Sequence, residues 1–391
     1  MIDISAVRAD TPGCHDLIHF NNAGASLPTR QVVDAQVEYL RQEGRAGGYE
    51  TADAYRGRID GTYSSIARLI GADVGEIALT SNATESWQLA FGSFEFDEGD
   101  RILTAAAEYA SNFIQYLRTR QRTGVSIEVI PSDEHGQTDA GALADMIDDR
   151  VKLISLTHIP TNGGLINPAA QIGSVAREAG IPFLLDACQS VGQIDLDVDA
   201  IGCDLLTATG RKYLRAPRGV GFLYVRRTFL VASEPLFLDL QGALWTTPST
   251  YEMRDDARRY ESWEFPQAAI VGLGMAVDYA LDLGMDDVET AVVALGATLR
   301  ERLTEIAGIS VHDIGLRRCG IVTFSHGGQS ATELVEGLHG LGINTSVTGR
   351  AATLIDATDR QLPDMVRASV HYYNTEVEID RFVLAVRELT A

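Results

Sequence analysis

Short apolar runs alternate with helical patterns through the first two thirds of the chain, and this alternation restricts the fold more than any other feature. Seven of these runs have the length and apolar content of buried strands. They are EIALT (76–80), RILTA (101–105), SIEVI (126–130), VKLISLT (151–157), IPFLLD (181–186), DLLTA (204–208) and GVGFLYV (219–225). Helical segments between most of them supply the crossovers that parallel strands need. The sequence therefore predicts an α/β fold with a mostly parallel seven-stranded sheet covered by helices.

The pattern changes at about Phe265, where a second unit is predicted to begin. Its predicted elements are helices at 267–283, about 289–307 and 332–342, and strands at 309–314, 320–326 and 366–374. This mixture is typical of an α+β domain. A chain of 391 residues is also long enough for two domains. We expect an N-terminal segment and large domain over residues 1–264 and a small C-terminal domain over residues 265–391.

The composition excludes several classes of partner. The chain has 32 lysines and arginines against 54 aspartates and glutamates, and this net charge of −22 argues against nucleic acid or an anionic membrane. The longest apolar stretch, from Ala268, is broken by Asp278 and is too short to span a bilayer. The N-terminus lacks the pattern of a secretory signal. The four cysteines show neither metal-binding nor disulfide-framework spacing, so we expect no metal site and a cytoplasmic location.

An acid and a lysine follow two consecutive predicted strands. Asp186 ends the strand IPFLLD, and Lys212 lies in a T-G-R-K loop after the strand DLLTA. A lysine amine forms a Schiff base with an aldehyde, and a buried carboxylate can keep a pyridine nitrogen protonated. Those are the two groups that a pyridoxal 5'-phosphate (PLP) enzyme needs. We therefore predict PLP as the cofactor and Lys212 and Asp186 as the catalytic residues.

The stretch from Asp186 to Arg226 resembles the class V aminotransferase and cysteine desulfurase family of PLP enzymes. The family's D-x-x-Q, (S/T)-G-(H/R)-K and G-P-x-G-x-G-like elements occur here in family order, and the similarity covers nearly the whole chain. The resemblance implies a fold-type I PLP-dependent transferase with a small-molecule amino-acid substrate. It also implies a homodimer with active sites at the interface, in which residues near Ser262 and Trp263 reach the partner's phosphate.

Further phosphate contacts follow from the same resemblance. The segment Ser81-Asn82-Ala83-Thr84 follows a strand, opens a helix and is similar to the family's phosphate loop. A capped helix start leaves backbone amides available to an anion. We expect Ala83 and Thr84 to bind the phosphate, with Thr209 and Arg211 completing the site. Relatives usually have a histidine at the position of Arg211, and either side chain can donate to phosphate.

The resemblance also assigns residues around the ring and the substrate. Tyr109 stands where many relatives carry a ring-stacking histidine, and Gln189 is expected to donate a hydrogen bond to the phenolic oxygen. Arg367 matches the R-x-S arginine that binds the substrate α-carboxylate. The other predicted substrate residues lie in an N-terminal segment and at a strand end; they are Asn22, Ala23, Thr161 and Asn162.

One departure from the desulfurase pattern affects the predicted chemistry. Cysteine desulfurases carry a nucleophilic cysteine on a loop of the small domain, and the corresponding residues 342–359 contain none. Cys319 precedes that loop on a predicted strand and is expected to pack in the core. Gln193 replaces the histidine that follows D-x-x-Q in desulfurases. Persulfide chemistry is therefore not expected.

The motifs A-T-G-R-K-Y-L-R-x-P-R-G, N-N-A-G-A-S and G-G-Y-E-T-A-D resemble those of ergothioneine-type C–S lyases, isopenicillin N epimerase-like proteins and loline-type cyclases. The leading hypothesis is a lyase of specialised metabolism that eliminates sulfur from a cysteine S-conjugate or sulfoxide. The alternatives are an epimerase or transaminase, replacement at Cβ or Cγ, and decarboxylation. A catalytically silent PLP-binding regulator is disfavoured by the presence of Lys212, Asp186 and Arg367.

Overall fold

A computed structural model describes residues 2–391 of the chain. The strands in that range are β1 (Ile18–His19), β2 (Ile77–Thr80), β3 (Arg101–Thr104), β4 (Ser126–Val129), β5 (Val151–Thr157), β6 (Phe183–Asp186), β7 (Leu205–Thr209), β8 (Gly221–Val225), β9 (Ala243–Thr247), β10 (Thr250–Met253), β11 (Ile309–Val311), β12 (Ile321–His326), β13 (Ile343–Asn344), β14 (Ser346–Thr348) and β15 (Met365–Ser369). The α-helices are α1 (Ile4–Ala9), α2 (Arg30–Ala46), α3 (Gly48–Ile70), α4 (Ala83–Phe91), α5 (Ala110–Thr123), α6 (Ala140–Met146), α7 (Ala169–Ala179), α8 (Val198–Ile201), α9 (Arg227–Ala232), α10 (Gln267–Leu283), α11 (Met285–Thr304), α12 (Ala331–Gly340), α13 (Leu354–Asp359) and α14 (Glu376–Thr390).

Seven strands form the central sheet in the order β2-β8-β7-β6-β5-β3-β4. β8 runs antiparallel to both of its neighbours, and the pairings from β7 to β4 are parallel. Strands β6, β7 and β8 are buried along their whole length, as expected for apolar strands with helices on both faces. All seven predicted strands are present in this sheet, so the predicted α/β architecture is confirmed.

The register of the central strands brings polar side chains to one edge of the sheet. Thr157 at the end of β5 pairs with Asp186 at the end of β6, and Asp186 pairs with Thr207 of β7. Strands β5 and β6 therefore end side by side, and the loop that follows β7 lies next to the end of β6. Because the carboxyl ends of parallel strands lie at one edge, the loops that follow them converge there.

The C-terminal residues form an antiparallel sheet in the order β11-β12-β15-β14, with α12 and α14 packed beside it. The N-terminal strand β1 pairs in parallel with β13 of this unit. Phe20, just after β1, packs against Phe382 of α14 with ring centroids 5.3 Å apart. The N-terminal segment thus packs on the C-terminal unit. The domain boundary near Phe265 stays a prediction.

Helices α10 and α11 follow each other after the last exposed loop of the large unit. Within residues 2–391 no single helix is both long and apolar enough to cross a membrane. Helices α10 and α11 meet both conditions only as a pair, and that pair is bent by 83°. Leu273 and Val277 of α10 are fully buried in the protein core. The apolar side chains of α10 thus pack inside the protein.

Candidate active site

A cavity lies at the carboxyl ends of β5, β6 and β7, beside the starts of α4 and α5. Its walls include every residue that the sequence assigns to the cofactor. These residues are Ala83, Thr84, Tyr109, Asp186, Gln189, Thr209, Arg211 and Lys212. Ligands of open α/β sheets bind at this edge. The structure therefore brings the predicted cofactor residues together in one cavity.

Asp186 is buried in this cavity and has two hydrogen-bond donors. Asn112 Nδ2 donates to Asp186 Oδ2 at 2.9 Å, and the backbone N–H of Cys188 donates to Oδ1 at 2.9 Å. Burial raises the pKa of Asp186, and the two donors oppose that shift. A cationic pyridine nitrogen would favour the ionised carboxylate further. The environment of Asp186 thus fits a partner for a pyridinium.

Lys212 is also buried in the cavity. Burial lowers the pKa of Lys212, and the cations Arg211 and Arg367 add to that shift, whereas Cys188 and Asp186 oppose it. A lysine with a lowered pKa is a free amine over a wider pH range, and the free amine is the form that attacks an aldehyde or accepts a proton. The surroundings of Lys212 therefore suit both functions.

The end of the cavity predicted to bind phosphate combines a helix start with a positive charge. The side chain of Asn82 caps α4, and Ala83 and Thr84 form its first turn. The first N–H groups of a helix have no partner within it and favour an anion. Arg211 lies on the same cavity wall. A Cβ at Gly221 would lie 2.5 Å from the Ala208 carbonyl oxygen and 3.0 Å from the Asn82 carbonyl carbon, so glycine lets β8 pack closely against β7 and this loop.

Tyr109 and Gln189 both line the cavity, and their side chains differ in exposure and in hydrogen bonding. Tyr109 immediately precedes α5 and is 37% exposed, which leaves its ring accessible for stacking. Gln189 is buried, and its Nε2 donates to the Ala23 carbonyl at 3.2 Å. Its Oε1 has no hydrogen-bond partner in the described part of the chain. The free group is thus an acceptor, which suits a phenolic hydroxyl, whereas the sequence led us to expect donation.

Taken together, the donor set fits PLP. A carboxylate for the ring nitrogen, an amine for the aldehyde, and helix amides with an arginine for the phosphate all face one cavity. The unpaired Gln189 Oε1 adds a buried polar atom that needs a partner.

Of the predicted substrate residues, Thr161 lies on the cavity wall, and Arg367 lies behind the wall and is bonded to Thr161. Thr161 lines the wall, and Arg367 Nη1 donates to Thr161 Oγ1 at 2.7 Å and to its carbonyl oxygen at 3.2 Å. Arg367 Nε is buried and lacks a hydrogen-bond partner among residues 2–391. A guanidinium with an unpaired N–H can bind a carboxylate.

The structure does not place Asn22, Ala23 and Asn162 on the cavity wall. Asn22 Nδ2 donates to the Ser369 carbonyl at 2.7 Å, so its amide joins the N-terminal segment to β15. Ala23 is buried and accepts the hydrogen bond from Gln189 described above. Asn162 Nδ2 donates to the Gly349 carbonyl at 3.0 Å and so binds the segment 342–359, which contains β13, β14 and α13. Their substrate-binding roles stay predictions.

Sequence reasoning missed two polar residues of the site, Glu108 and Asn112. Asn112 lines the cavity, and its Nδ2 donates both to Asp186 and to Glu108 Oε1, each at 2.9 Å. The available signal was an acid in the apolar stretch RILTAAAEYASNF, with an amide four residues later. Glu108 lies two residues before the start of α5 and Asn112 lies in its first turn, so the two side chains meet at the N-terminal end of this helix.

Cys188 and Cys319 occupy different environments. Cys188 lines the cavity beside Lys212, and burial raises the pKa of its thiol. Cys319 is completely buried, in agreement with the expected packing role.

Ser262 and Trp263, which the sequence predicts to reach the partner's phosphate, are exposed and lie outside the cavity wall.

Comparisons with known proteins identify similar chains. The sequence pattern of the family "Aminotransferase class-V" matches residues 18–382. The chain is 31% identical over 419 residues to probable cysteine desulfurase 2 of Mycobacterium leprae, covering 98% of this chain and 96% of that protein. It is 28% identical over 380 residues to a probable cysteine desulfurase of Methanothermobacter thermautotrophicus, covering 95% and 94%.

Solved structures give the same result. The apo structure of a cysteine desulfurase from Thermococcus onnurineus NA1 superposes with a TM-score of 0.93 at 26% identity, covering 100% of this chain and 98% of that one. The cystine C–S lyase C-DES, solved with its product cysteine persulfide, superposes with a TM-score of 0.87 at 20% identity, covering 97% and 99%. The second likeness shows the fold alone.

Proposed function

Since the chain belongs to the aminotransferase class-V family, we propose that it is a lyase that cleaves the C–S bond of a cysteine S-conjugate or sulfoxide by β-elimination. Family membership confirms the fold-type I fold, PLP as the cofactor, and an enzyme that acts on an amino acid. The relatives from Mycobacterium leprae and Methanothermobacter thermautotrophicus are named as probable cysteine desulfurases, not as ergothioneine-type lyases or epimerases. The family prediction is therefore confirmed, and the reaction type is our proposal.

The observation that carries the proposal is the location of the thiols. Residues 342–359, which correspond to the desulfurase nucleophile loop, contain no cysteine. Gln193, in place of a desulfurase histidine, is buried; its Nε2 donates to the Gln189 carbonyl and its Oε1 accepts from the Gly320 N–H at 3.2 Å. An amide in these bonds cannot exchange protons with a sulfur group. A sulfur leaving group is therefore expected to depart directly into solution.

The chain's own residues can perform such an elimination. Bound PLP supplies an aldehyde that takes up the substrate amine and a ring that accepts the electron pair from Cα. Arg367 would bind the substrate carboxylate, and Lys212 Nζ would remove the proton from Cα. Asp186 would keep the ring nitrogen protonated. The C–S bond then breaks, the sulfur leaves with its electron pair, and addition of water yields pyruvate and ammonia, together with a thiol from an S-conjugate or a sulfenic acid from a sulfoxide.

The test is an assay of the purified holoenzyme with cysteine S-conjugates, their sulfoxides and free cysteine. We expect equal amounts of pyruvate, ammonia and the released sulfur compound from an S-conjugate or a sulfoxide. Racemised substrate or an amino group transferred to a keto acid, with no pyruvate, would favour the epimerase or transaminase instead.

The chain offers a clean control for the cofactor lysine because it contains two lysines, Lys152 and Lys212. Lys152 lies on β5 and pairs with Asp100 at 3.7 Å. Borohydride reduction should fix the cofactor on the peptide with Lys212, and Lys212→Ala should abolish turnover. Lys152→Ala should keep both the adduct and the activity. An adduct on Lys152 would contradict the assignment.

Desulfuration of free cysteine is the second candidate, because Cys188 lies beside Lys212 in the cavity. In that reaction the Cys188 thiol would accept sulfur as a persulfide, and the substrate would leave as alanine. The product distinguishes the two candidates, since elimination from cysteine gives pyruvate.

We also propose that the enzyme acts as a homodimer. The β9–β10 hairpin exposes Leu244, Trp245 and Tyr251, and Trp263 is 51% exposed nearby in sequence. Exposed apolar side chains in such number are typical of an interface. Light scattering after size-exclusion chromatography should give twice the 42.3 kDa chain mass. A monomer with full PLP affinity would contradict the proposal.

A further inference from the structure

A buried acid that the proposed mechanism does not use lies behind Asp186. Glu108 is 3% exposed and sits between β3, β5 and α5. Thr104 Oγ1 donates to its Oε2 at 2.9 Å, and the Tyr109 N–H donates to its Oε1 at 2.8 Å. Thr157 Oγ1 also donates to Oε1. A carboxyl group with this many donors is held in one orientation.

Asn112 connects this acid to Asp186. Its Nδ2 donates to Glu108 Oε1 and to Asp186 Oδ2, both at 2.9 Å. A primary amide has two N–H groups on one nitrogen, so both are used by the two carboxyl groups. Rotation of the amide would turn its oxygen toward two carboxyl oxygens. The Glu108 carboxyl group accepts one of these N–H groups and therefore keeps the nitrogen of the Asn112 amide, and not its oxygen, turned toward Asp186.

The two acids are also coupled electrostatically. Burial raises the pKa of Glu108 to about 7, and the charge of Asp186 adds to that effect. The titratable groups that face Glu108 are Asp186 of β6 and Tyr116 of α5, whose own pKa is raised by burial and by Glu108. The β3 and β5 side chains against it are the hydroxyls of Thr104 and Thr157. Ionised Glu108 thus adds negative charge where a cationic ring nitrogen is expected to bind.

We propose that Glu108, acting through Asn112, is a positioning residue that fixes the orientation and the charge of Asp186 toward the cofactor ring nitrogen. The inference rests on the role proposed for Asp186. It does not depend on the reaction type, because it concerns how the protein holds the cofactor.

The first test measures the dissociation constant of PLP for the apoprotein as a function of pH, with the absorbance spectrum of the bound cofactor. Glu108→Gln keeps the size of the side chain and removes its charge. We expect PLP to bind about tenfold more weakly than to wild type above the Glu108 pKa, the equivalent of one pKa unit. Below that pKa the difference should vanish, because wild-type Glu108 is then protonated too.

Glu76→Gln is the matched control. Glu76 is also buried and accepts the Arg227 and Asp73 N–H groups at 2.7 and 3.1 Å, at the opposite end of the sheet. Its substitution should leave the affinity–pH profile as in wild type. A Glu108→Gln profile parallel to that of wild type at all pH values would overturn the proposal.

Asn112→Ala tests the route between the two acids. Loss of a hydrogen bond to a charged group should weaken PLP binding by about tenfold. The effect of Glu108→Gln should then shrink when it is measured in the Asn112→Ala background. An undiminished effect would overturn the route through Asn112.

Asp186→Asn separates this inference from the proposed site. If Asp186→Asn weakens PLP binding and alters the spectrum while Glu108→Gln and Asn112→Ala do neither, the positioning role alone fails. If Asp186→Asn has no effect either, the assignment of Asp186 fails and the inference fails with it.

Discussion

Arg367 Nη1 lies 2.7 Å from Thr161 Oγ1, and this hydrogen bond joins the small C-terminal sheet to the loop after β5 of the large sheet. Burial lowers the pKa of Arg367, which means that its charge is poorly compensated in the protein. None of the described carboxylates forms an ion pair with it. A substrate carboxylate would supply the missing negative charge.

Arg367→Lys is expected to raise KM for the amino acid by about tenfold while kcat falls less, because lysine keeps the charge and loses the planar fork. Steady-state kinetics on an S-conjugate measures this split. Arg302→Lys on the exposed face of α11 is the control and should change neither constant. Equal affinity of the wild type for a substrate and for its decarboxylated amine would contradict the role of Arg367.

Asp186→Asn is expected to lower kcat by about a hundredfold or more while some PLP stays bound, because the ring nitrogen is no longer held protonated. A loss of this size is typical when one preorganised group that stabilises a transition state is removed. The measurement is single-turnover exchange of the Cα proton with deuterated solvent. Near wild-type exchange would remove Asp186 from this role.

The sequence predicted the cofactor end of the site better than the substrate end, and the reason is local geometry. Asp186 and Thr209 end the neighbouring strands β6 and β7, and Lys212 follows β7, so strand order alone brings them to one edge. Asn22 and Asn162 were assigned from short segments, and their orientation depends on packing between distant parts of the chain. Asn22 meets Ser369, a contact that no local pattern encodes.

The fold was likewise predicted better where the sequence signal is local than where it depends on contacts between distant segments. The apolar strands of the central sheet have a clear length and period, and all were predicted. The pairing of β1 with β13 was not, because each strand has only two residues. Glu108 was missed for a related reason: an acid in an apolar stretch is a weak signal by itself, and its donors Thr104 and Thr157 come from two different strands.

Lys212→Met is expected to change how the stability of the apoprotein depends on pH. Because burial lowers the pKa of Lys212, the unfolded chain binds a proton that the folded chain lacks between that lowered pKa and the ordinary value of about 10.4. The free energy of unfolding should therefore rise with pH across that window in the wild type. Lys212→Met should remove this rise. Urea unfolding at several alkaline pH values measures it, and Lys152→Met should retain the wild-type slope.

Elimination needs no protein thiol, and burial raises the pKa of Cys188, so its thiol is protonated and a weak nucleophile near neutral pH. Cys188→Ala and Cys188→Ser should therefore keep kcat/KM for an S-conjugate within about threefold of wild type, the range left to packing alone. The variant with all of Cys14, Cys188, Cys203 and Cys319 replaced by Ala, provided that it folds, should still form pyruvate. Alanine formed from free cysteine by the wild type, and lost in Cys188→Ala, would instead assign sulfur acceptance to Cys188 and replace the lyase proposal with desulfuration.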